Sequence, residues 1–213
     1  GMNSNETLKE LGANVITLSS FDTDIVQDMV MHIFHAICHI VEQEFGDYYQ
    51  SGVWENAIEM ATKSQANTLL LDRDGVINHL IPNDYVLSIK DIRLNDVFLS
   101  YCQRLSEVFD YIFIISNQAC IGKGIVSQEK VDEINNFIID QITSRGGRVT
   151  GIYTCPDRES GSPNRKPNIG LAKQINHDYP MVDYSKSLMI GDSFSDILFA
   201  KRIGAFYIKI HNV

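Results

Sequence analysis

Five short, predominantly apolar runs alternate with segments of helical periodicity in residues 66–213. The runs are Leu69–Leu71, Tyr111–Ile115, Val149–Cys155, Ser187–Ile190 and Phe206–Ile210. Between them, apolar residues recur at intervals of three and four, the spacing of a helix with one buried face. Strands that are apolar on both sides are typical of a parallel sheet covered by helices on both faces. The pattern therefore predicts an α/β, Rossmann-like three-layer fold with a central parallel sheet.

Residues 1–65 follow a different pattern, and we predict that they form a helical N-terminal extension to a domain of residues 66–213. Ile25–Phe45 has a helical pattern whose apolar positions cover well over half of the circumference, and Ser51–Ser64 has a second, shorter one. A helix as apolar as the first must pack on two sides. The extension is therefore interpreted as a lid or as an element of homodimerisation, and the sequence leaves both open.

Three histidines, His32, His35 and His39, lie at helical spacing on the first of these helices. Side chains at i, i+3 and i+7 share one face, which is compatible with a metal site. The polar stripe of a mostly buried helix has the same spacing, and the sequence favours this second interpretation.

Composition excludes several classes of protein. The formal net charge of −9 and the sequence pI near 5.0 argue against a protein that coats nucleic acid. No apolar run approaches the roughly 20 residues of a membrane span, and the polar N-terminus shows no signal-peptide pattern. The four cysteines lie far apart without a Cys-x-x-Cys pair, which is typical of free thiols in a reducing compartment. We expect a cytoplasmic protein whose partners include neither nucleic acid nor a membrane.

Two carboxylates directly follow the first apolar run. Asp72 and Asp74 are separated by one residue, and Gly75 permits the chain to turn there. Folding alone does not call for two acids at the end of a buried strand, although a short acidic turn is also common. Chemistry does call for them, because one carboxylate can form a covalent intermediate while the second moves a proton.

Further polar residues follow two other strands. Ser116, Asn117 and Gln118 come after the second run, and Asp192 and Asp196 come after the fourth. Ligands of doubly wound sheets bind at the carboxyl ends of the strands. We therefore expect these side chains to meet Asp72 and Asp74 in one pocket.

These motifs resemble those of the haloacid dehalogenase-like (HAD) phosphatases. The resemblance rests on Asp72-Arg-Asp-Gly-Val, Ser116, Lys166 in Arg-Lys-Pro, and Gly191-Asp-Ser-x-x-Asp196, which occur in the order of the family and cover roughly residues 67–213. The wording Ser116-Asn-Gln-x-x-Ile-Gly-Lys-Gly124 and Arg165-Lys-Pro-Asn-Ile-Gly170 is similar to the branch that contains D,D-heptose 1,7-bisphosphate phosphatase and histidinol-phosphate phosphatase. The spacing of the motifs leaves no room for a large cap domain.

The resemblance implies a Mg²⁺-dependent phosphomonoester hydrolase that acts on a phosphorylated sugar or a similar small metabolite. It implies that Asp72 is the nucleophile, that Asp74 is the general acid and base, and that Ser116 and Lys166 hold the transferring oxygens. Magnesium would be bound by Asp72, the backbone carbonyl of Asp74, and Asp192. Asp196 is expected to support the site by orienting Lys166 or a metal-bound water. The candidates for contact with the substrate are Asn117, Gln118, Lys123 and Arg165.

The chain departs from the branch in one loop. The heptose phosphatases often carry a zinc loop with one Cys, one His and a Cys-x-Cys pair before Arg-Lys-Pro. Here Cys155 is present, but Asp157 stands at the His position, and Ser162 and Asn164 stand at the positions of the pair. One thiol cannot hold a structural zinc, so we expect none.

Two other functions remain compatible with the sequence. Similar motif wording occurs in the phosphatase domains of polynucleotide kinases, which suggests a nucleic-acid 3′-phosphatase, although the acidic composition argues against it. The chain could also be a catalytically idle, HAD-like interaction protein organised by its apolar N-terminal helix. The presence of Asp72, Asp74, Lys166 and Asp192 argues against that alternative, because an idle site requires none of them.

Overall fold

The computed structural model of the protein describes residues 23–82 and 84–211. In residues 23–48 it describes the backbone throughout, but side chains only at Val30, Ile33, Ile37 and Asp47. The predicted stripe of His32, His35 and His39 lies outside the described side chains.

The described chain contains six helices and five strands, which alternate from β1 onward. The helices are α1 (Thr23–Ser64), α2 (Asp96–Val108), α3 (Ala119–Gly122), α4 (Gln128–Ser144), α5 (Gly170–Asp178) and α6 (Phe194–Ile203). The strands are β1 (Thr68–Leu71), β2 (Tyr111–Asn117), β3 (Gly151–Cys155), β4 (Ser187–Gly191) and β5 (Phe206–Lys209). Short 3₁₀ turns occupy Ile89–Asp91 and Tyr184–Lys186.

The five strands form one parallel sheet in the order β3-β2-β1-β4-β5. β1 lies at the centre, where Leu71 is in register with Ile114 of β2 and with Ile190 of β4. The residues that follow these three positions therefore emerge at the same level. This arrangement confirms the predicted α/β fold with a central parallel sheet.

The sheet separates two hydrophobic clusters because successive side chains of each strand point to opposite faces. On β1, Leu69 and Leu71 belong to one cluster and Leu70 to the other. The first cluster includes residues of the second half of α1 and of α2 and α4, and the second includes residues of α5 and α6. The protein therefore has the three layers that the apolar strands predict.

The N-terminal region differs from the prediction in one respect. The two predicted helices, Ile25–Phe45 and Ser51–Ser64, are parts of the single helix α1, which continues through Gly46 and Gly52. Glycine in a helix interior costs about 1 kcal/mol relative to alanine, which packing can outweigh. Trp54, which is fully buried, supplies such packing through an aromatic contact with Phe98 at 5.1 Å between ring centroids.

The chain divides into two compact units, Gly1–Phe45 and Gly46–Val213. The second unit begins before the predicted boundary at residue 66, because Val53, Trp54, Ala57 and Ala61 of α1 belong to the same hydrophobic cluster as the sheet. Among the described residues, no helix combines the length and the hydrophobicity of a membrane span.

Candidate active site

The carboxyl ends of β1, β2 and β4, called here the carboxyl end of the sheet, bring the predicted motifs together. Asp72 directly follows β1, and its amide donates to the carbonyl of Ile190 on β4 at 3.0 Å. The chain then turns at Gly75, whose φ of 88° favours glycine. The turn leaves Asp72 and Asp74 beside the same cleft.

Lys166 lies at the centre of this arrangement. Its Nζ donates to Asp72 Oδ1 at 2.7 Å and to the carbonyl oxygen of Ile115 at 2.8 Å. The same nitrogen forms an ion pair with Asp196 Oδ1 at 2.7 Å. Because Lys166 is only 3% exposed, its charge is compensated by buried partners and not by water.

The backbone of Lys166 is fixed by Asn117. Its amide donates to Asn117 Oδ1 at 2.9 Å, and Asn117 Nδ2 donates to its carbonyl at 3.1 Å. Asn117, predicted as a substrate contact, lines the cleft and also holds the lysine loop against β2.

Burial and charge shift the acidities of this group of residues in opposite ways. Burial raises the pKa of Asp72 to about 7, although the ammonium group of Lys166 acts against this shift. For Lys166, burial lowers the pKa, but the carboxylates of Asp72 and Asp196 outweigh it and the net shift is upward. Lys166 is therefore held as a cation, and a second positive charge at the site would favour the ionised form of Asp72.

Asp74 is held from three sides. The guanidinium of Arg73 lies 3.1 Å from Oδ1 and 3.0 Å from Oδ2, Asn78 Nδ2 donates to Oδ1 at 2.9 Å, and Gln118 Nε2 donates to Oδ2 at 2.6 Å. No role was predicted for Arg73, which lies within the Asp72-Arg-Asp-Gly-Val motif, or for Asn78, which lies two residues after it. The sequence shows that both side chains carry hydrogen-bond donors, but it does not show that these donors point towards Asp74.

Gln118 is buried behind the site. Its Nε2 also donates to Ser116 Oγ at 2.8 Å, so one amide joins the side chains of Ser116 and Asp74. At 1% exposure, Gln118 is not among the residues that line the cleft. Gln118, predicted to contact the substrate, therefore contacts Asp74 and Ser116 in the structure.

Asp72, Asp192 and Asp196 form an acidic cluster whose carboxylate oxygens lie within 4.8 Å of one another. Asp196 Oδ2 accepts from the hydroxyl and the amide of Ser193 at 2.6 and 3.1 Å, a capping box that begins α6. A set of hard carboxylate oxygens fits Mg²⁺, which prefers oxygen ligands.

Asp72 and Asp192 line an open cleft, whereas Asp196 lies outside its lining. Its lining includes the acids at the base and, from the connection after β1, residues such as Leu80, Ile81, Tyr85 and Val86. In residues 72–82 and 84–95, which join β1 to α2, the chain forms no separate cap domain. The cleft is thus open enough for a small polar ester.

The other two predicted substrate contacts, Lys123 and Arg165, do not line the cleft. Lys123 Nζ donates at 2.8 Å to the hydroxyl of Tyr85, which does line it. Arg165 donates to the backbone carbonyl of Asp157 at 3.0 Å, within the loop before Lys166. Lys123 therefore lies one residue behind the wall of the cleft, and Arg165 stabilises its own loop.

Hydrogen bonds hold the loop between Cys155 and Asn168, where no zinc was expected. The Asp157 carboxylate accepts from the hydroxyl of Ser162 and lies 3.7 Å from the thiol of Cys155. Asn168 adds donations to the carbonyls of Ser160 and Ser162. Of the four loop positions compared with zinc ligands, Cys155, Asp157, Ser162 and Asn164, the first alone carries a thiol.

Comparisons with known proteins agree with this geometry. No protein-family model matches the chain. The D-glycero-β-D-manno-heptose-1,7-bisphosphate 7-phosphatase of Rhodopseudomonas palustris is 31% identical over 143 residues, which are 63% of this chain and 77% of the relative. A probable D-glycero-D-manno-heptose-1,7-bisphosphate 7-phosphatase of Thermoplasma volcanium is 34% identical over 138 residues, 64% of this chain and 92% of the relative.

A solved structure gives the same result. The D,D-heptose 1,7-bisphosphate phosphatase of B. bronchiseptica, complexed with magnesium and phosphate, matches with a TM-score of 0.61 and 26% identity over 66% of this chain and 78% of that chain. Neither the nucleic-acid phosphatase nor the idle interaction protein is favoured by these relatives. The chain belongs to the HAD phosphatases, in the branch of the heptose-1,7-bisphosphate phosphatases.

Proposed function

We propose that the protein is a Mg²⁺-dependent phosphatase that hydrolyses a phosphomonoester of a small sugar-like metabolite, of the heptose bisphosphate type, through an aspartyl-phosphate. The observation that carries the proposal is Lys166 Nζ, held 2.7 Å from both Asp72 and Asp196 at the base of an open cleft. A buried cation between two carboxylates beside a cleft suits a site that binds and transfers a dianionic group.

In this proposal, Asp72 attacks the phosphorus atom in line with the leaving oxygen and becomes phosphorylated. Asp74 gives a proton to the leaving oxygen, and then takes a proton from the water that hydrolyses the aspartyl-phosphate. Lys166 and Ser116 hold the oxygens of the transferring group, where negative charge is spread in the transition state. Asn117 contributes by fixing the backbone of Lys166 beside the cleft.

The metal would be held by the carboxylates of Asp72 and Asp192 and by the backbone carbonyl of Asp74. When bound, Mg²⁺ supplies positive charge that allows a carboxylate and a phosphate ester to approach each other. Asp196 supports this site by its contact with Lys166 and by its capping box with Ser193.

Three observations support a sugar phosphate as the class of substrate. The named relatives act on heptose bisphosphates. The cleft wall offers Tyr85 and Asp84 as polar groups beside Leu80, Ile81 and Val86, a mixture suited to a polyol. The formal charge of −9 opposes the binding of a nucleic-acid backbone.

Phosphate release with and without Mg²⁺ tests this proposal. The panel contains heptose bisphosphate, histidinol phosphate, other sugar phosphates and a 3′-phosphorylated oligonucleotide, and Asp72→Asn is the control. We expect Mg²⁺-dependent turnover of a sugar phosphate that is lost in the variant. Turnover of the oligonucleotide alone, or equal turnover by Asp72→Asn, would overturn the proposal.

We propose further that the protein is cytoplasmic and forms a homodimer through α1. The dimer is supported by Val30 and Ile37, which lie two turns apart on this helix and are 48% and 49% exposed. The cytoplasmic location is supported by Cys102, Cys120 and Cys155, which are free thiols, as is typical of a reducing compartment. Light scattering of the purified protein should give the mass of a dimer, and the double substitution of Val30 and Ile37 by glutamate should give a monomer. A wild-type monomer at high concentration would refute the dimer.

A further inference from the structure

Arg73 is a buried cation that the proposed mechanism does not use. It stands between the two catalytic aspartates in sequence and is 1% exposed. Burying a charged group is unfavourable unless it is paired and hydrogen-bonded. The partners of the Arg73 guanidinium therefore indicate the role of its charge.

Within the described part of the chain, the side-chain hydrogen bonds of Arg73 lead to two residues, Asp74 and Asn135. NH2 lies 3.1 and 3.0 Å from the two carboxylate oxygens of Asp74, and Nε lies 3.3 Å from Oδ1. NH1 donates at 3.2 Å to Asn135 Oδ1 on α4. One side of the guanidinium thus grips Asp74, and the other is tied to a helix that lies 62 residues away in sequence.

Arg73 acts from behind the site. Asp74 lines the cleft and keeps 24% of its side chain exposed, whereas neither Arg73 nor Asn135 lines it. Asn135 is itself buried at 6% exposure. Arg73 therefore has no place among the groups that contact a substrate in the cleft.

The backbone alone does not fix the direction of the Asp74 side chain. The carbonyl of Arg73 accepts from the amides of Ile77 and Asn78 at 2.9 and 3.2 Å, which holds the turn. An aspartate on a fixed backbone still has several staggered rotamers available. Asn78 and Gln118 each donate to one carboxylate oxygen of Asp74, whereas the planar guanidinium of Arg73, whose donors have a fixed geometry, contacts both oxygens. Arg73 therefore contributes to the selection of one rotamer.

We propose that Arg73, anchored by Asn135, is a positioning residue that aims Asp74 at the leaving-group oxygen. This inference rests on the proposed function. In the first step a carboxylate oxygen of Asp72 forms a bond to phosphorus while the bond between phosphorus and the leaving oxygen breaks; the electron pair of that bond passes to the leaving oxygen, which takes the proton of the protonated Asp74 carboxyl group. Positioning of Asp74 is therefore needed most when the leaving group is a poor one, such as an alkoxide.

The test compares the first chemical step for two leaving groups in rapid-quench single turnovers with Mg²⁺. An alkyl phosphate, the sugar phosphate that the wild type hydrolyses, requires protonation of its leaving oxygen. 4-Nitrophenyl phosphate releases a stable phenolate and does not. The variant is Asn135→Ala, which removes the anchor and leaves Arg73 and all of the proposed catalytic residues in place, with Arg73→Lys as a second variant.

We expect Asn135→Ala to slow release of the alkyl leaving group by about 10-fold or more, since general acid catalysis contributes 10²- to 10⁴-fold and misplacement erodes it. Release of nitrophenolate should stay within about twofold of wild type, because this leaving group does not need the proton. Asn135→Asp retains an oxygen acceptor for Arg73 and should restore the wild-type ratio of the two rates.

A matched control separates positioning from loss of structure. Gln50 is also a buried amide, and its Oε1 accepts from Asn95 at 2.7 Å away from the cleft. Gln50→Ala should leave both rates unchanged. An equal fall of both rates in Asn135→Ala, or no change in either, would overturn the inference while the wild-type activity still supports the proposed function. A wild type inactive toward every ester would overturn both.

Discussion

The carboxyl end of the sheet buries charges, whereas the face of the sheet under α1 and α2 buries almost only apolar groups. At the first, Lys166, Asp72 and Asp196 share a buried ion-pair network. At the second, Val53, Trp54 and Ala57 pack with Phe98 and the alternate residues of β1. Buried ion pairs seldom stabilise a fold more than apolar side chains of the same size would. The apolar face therefore supports the fold, whereas the charged end suits the proposed chemistry.

Lys166→Met is expected to have the largest effect, because it should lower both the catalytic rate and the stability of the fold. Loss of Lys166, the group that we propose holds the transferring oxygens, should lower kcat by about 10²- to 10³-fold. It also leaves the buried carboxylates of Asp72 and Asp196 without their cation, which destabilises the fold by about 3–5 kcal/mol. Denaturant unfolding and phosphate release measure the two losses.

The matched control is Lys173→Met, since Lys173 is an exposed lysine on α5. It should change neither quantity. Wild-type activity in Lys166→Met would remove the charged end from the mechanism.

Trp54→Ala tests the apolar face. Trp54 is fully buried, so its removal should lower the free energy of unfolding by about 3–5 kcal/mol. The kcat of the protein that remains folded should not change. Trp54→Phe should lose less, because it keeps an aromatic ring and removes a buried indole N–H that has no hydrogen-bond partner. A fall of kcat in the folded fraction would show that the two regions are coupled.

Ser193→Ala and Ser127→Ala sharpen the comparison with two similar helix caps. Ser127 accepts from the amide of Lys130 at the start of α4, and Ser193 accepts from that of Asp196 at the start of α6. Each substitution should destabilise the fold by about 1 kcal/mol. Only Ser193→Ala should also lower kcat, since Ser193 holds the carboxylate of Asp196. Equal kinetics of the two variants would contradict the role given to Asp196.

His79 should produce the smallest effect. Burial lowers the pKa of His79, and the positive charge of Arg93 lowers it further. The unfolded chain then binds the proton more tightly than the folded protein, so His79 favours folding above its unfolded pKa, and this contribution is lost as pH falls through its folded pKa. The denaturation midpoint should fall less between pH 7 and 5 in His79→Gln than in wild type. An identical pH profile would refute this contribution.

The sheet and the carboxyl end of the sheet were predictable from the sequence because both depend on local patterns. Each strand is a short apolar run. Asp72 and Ser116 follow two such runs directly, and Asp192 follows a third after Gly191. A parallel sheet then places them together without any knowledge of tertiary contacts.

What the sequence did not predict depends on contacts between distant residues. The continuity of α1 through Gly46 and Gly52 opposes local propensity, and burial of Trp54 and its neighbours on the sheet supports the helix there. The pairing of Arg73 with Asn135 and the burial of Gln118 behind Ser116 join positions that no local pattern relates. Arg165 was a candidate for contact with the substrate, and in the structure its guanidinium donates to the carbonyl of Asp157.

Detection of the phosphorylated enzyme tests the central claim most directly. Protein mixed with Mg²⁺ and the sugar phosphate that it hydrolyses would be quenched in acid within one turnover, and its peptides analysed by mass spectrometry. We predict one added phosphoryl group on the peptide that contains Asp72, and none in Asp72→Asn. Rapid turnover with no phosphoryl group on Asp72, or with the group on another residue, would contradict the claim that the carboxyl end of the sheet works by covalent catalysis.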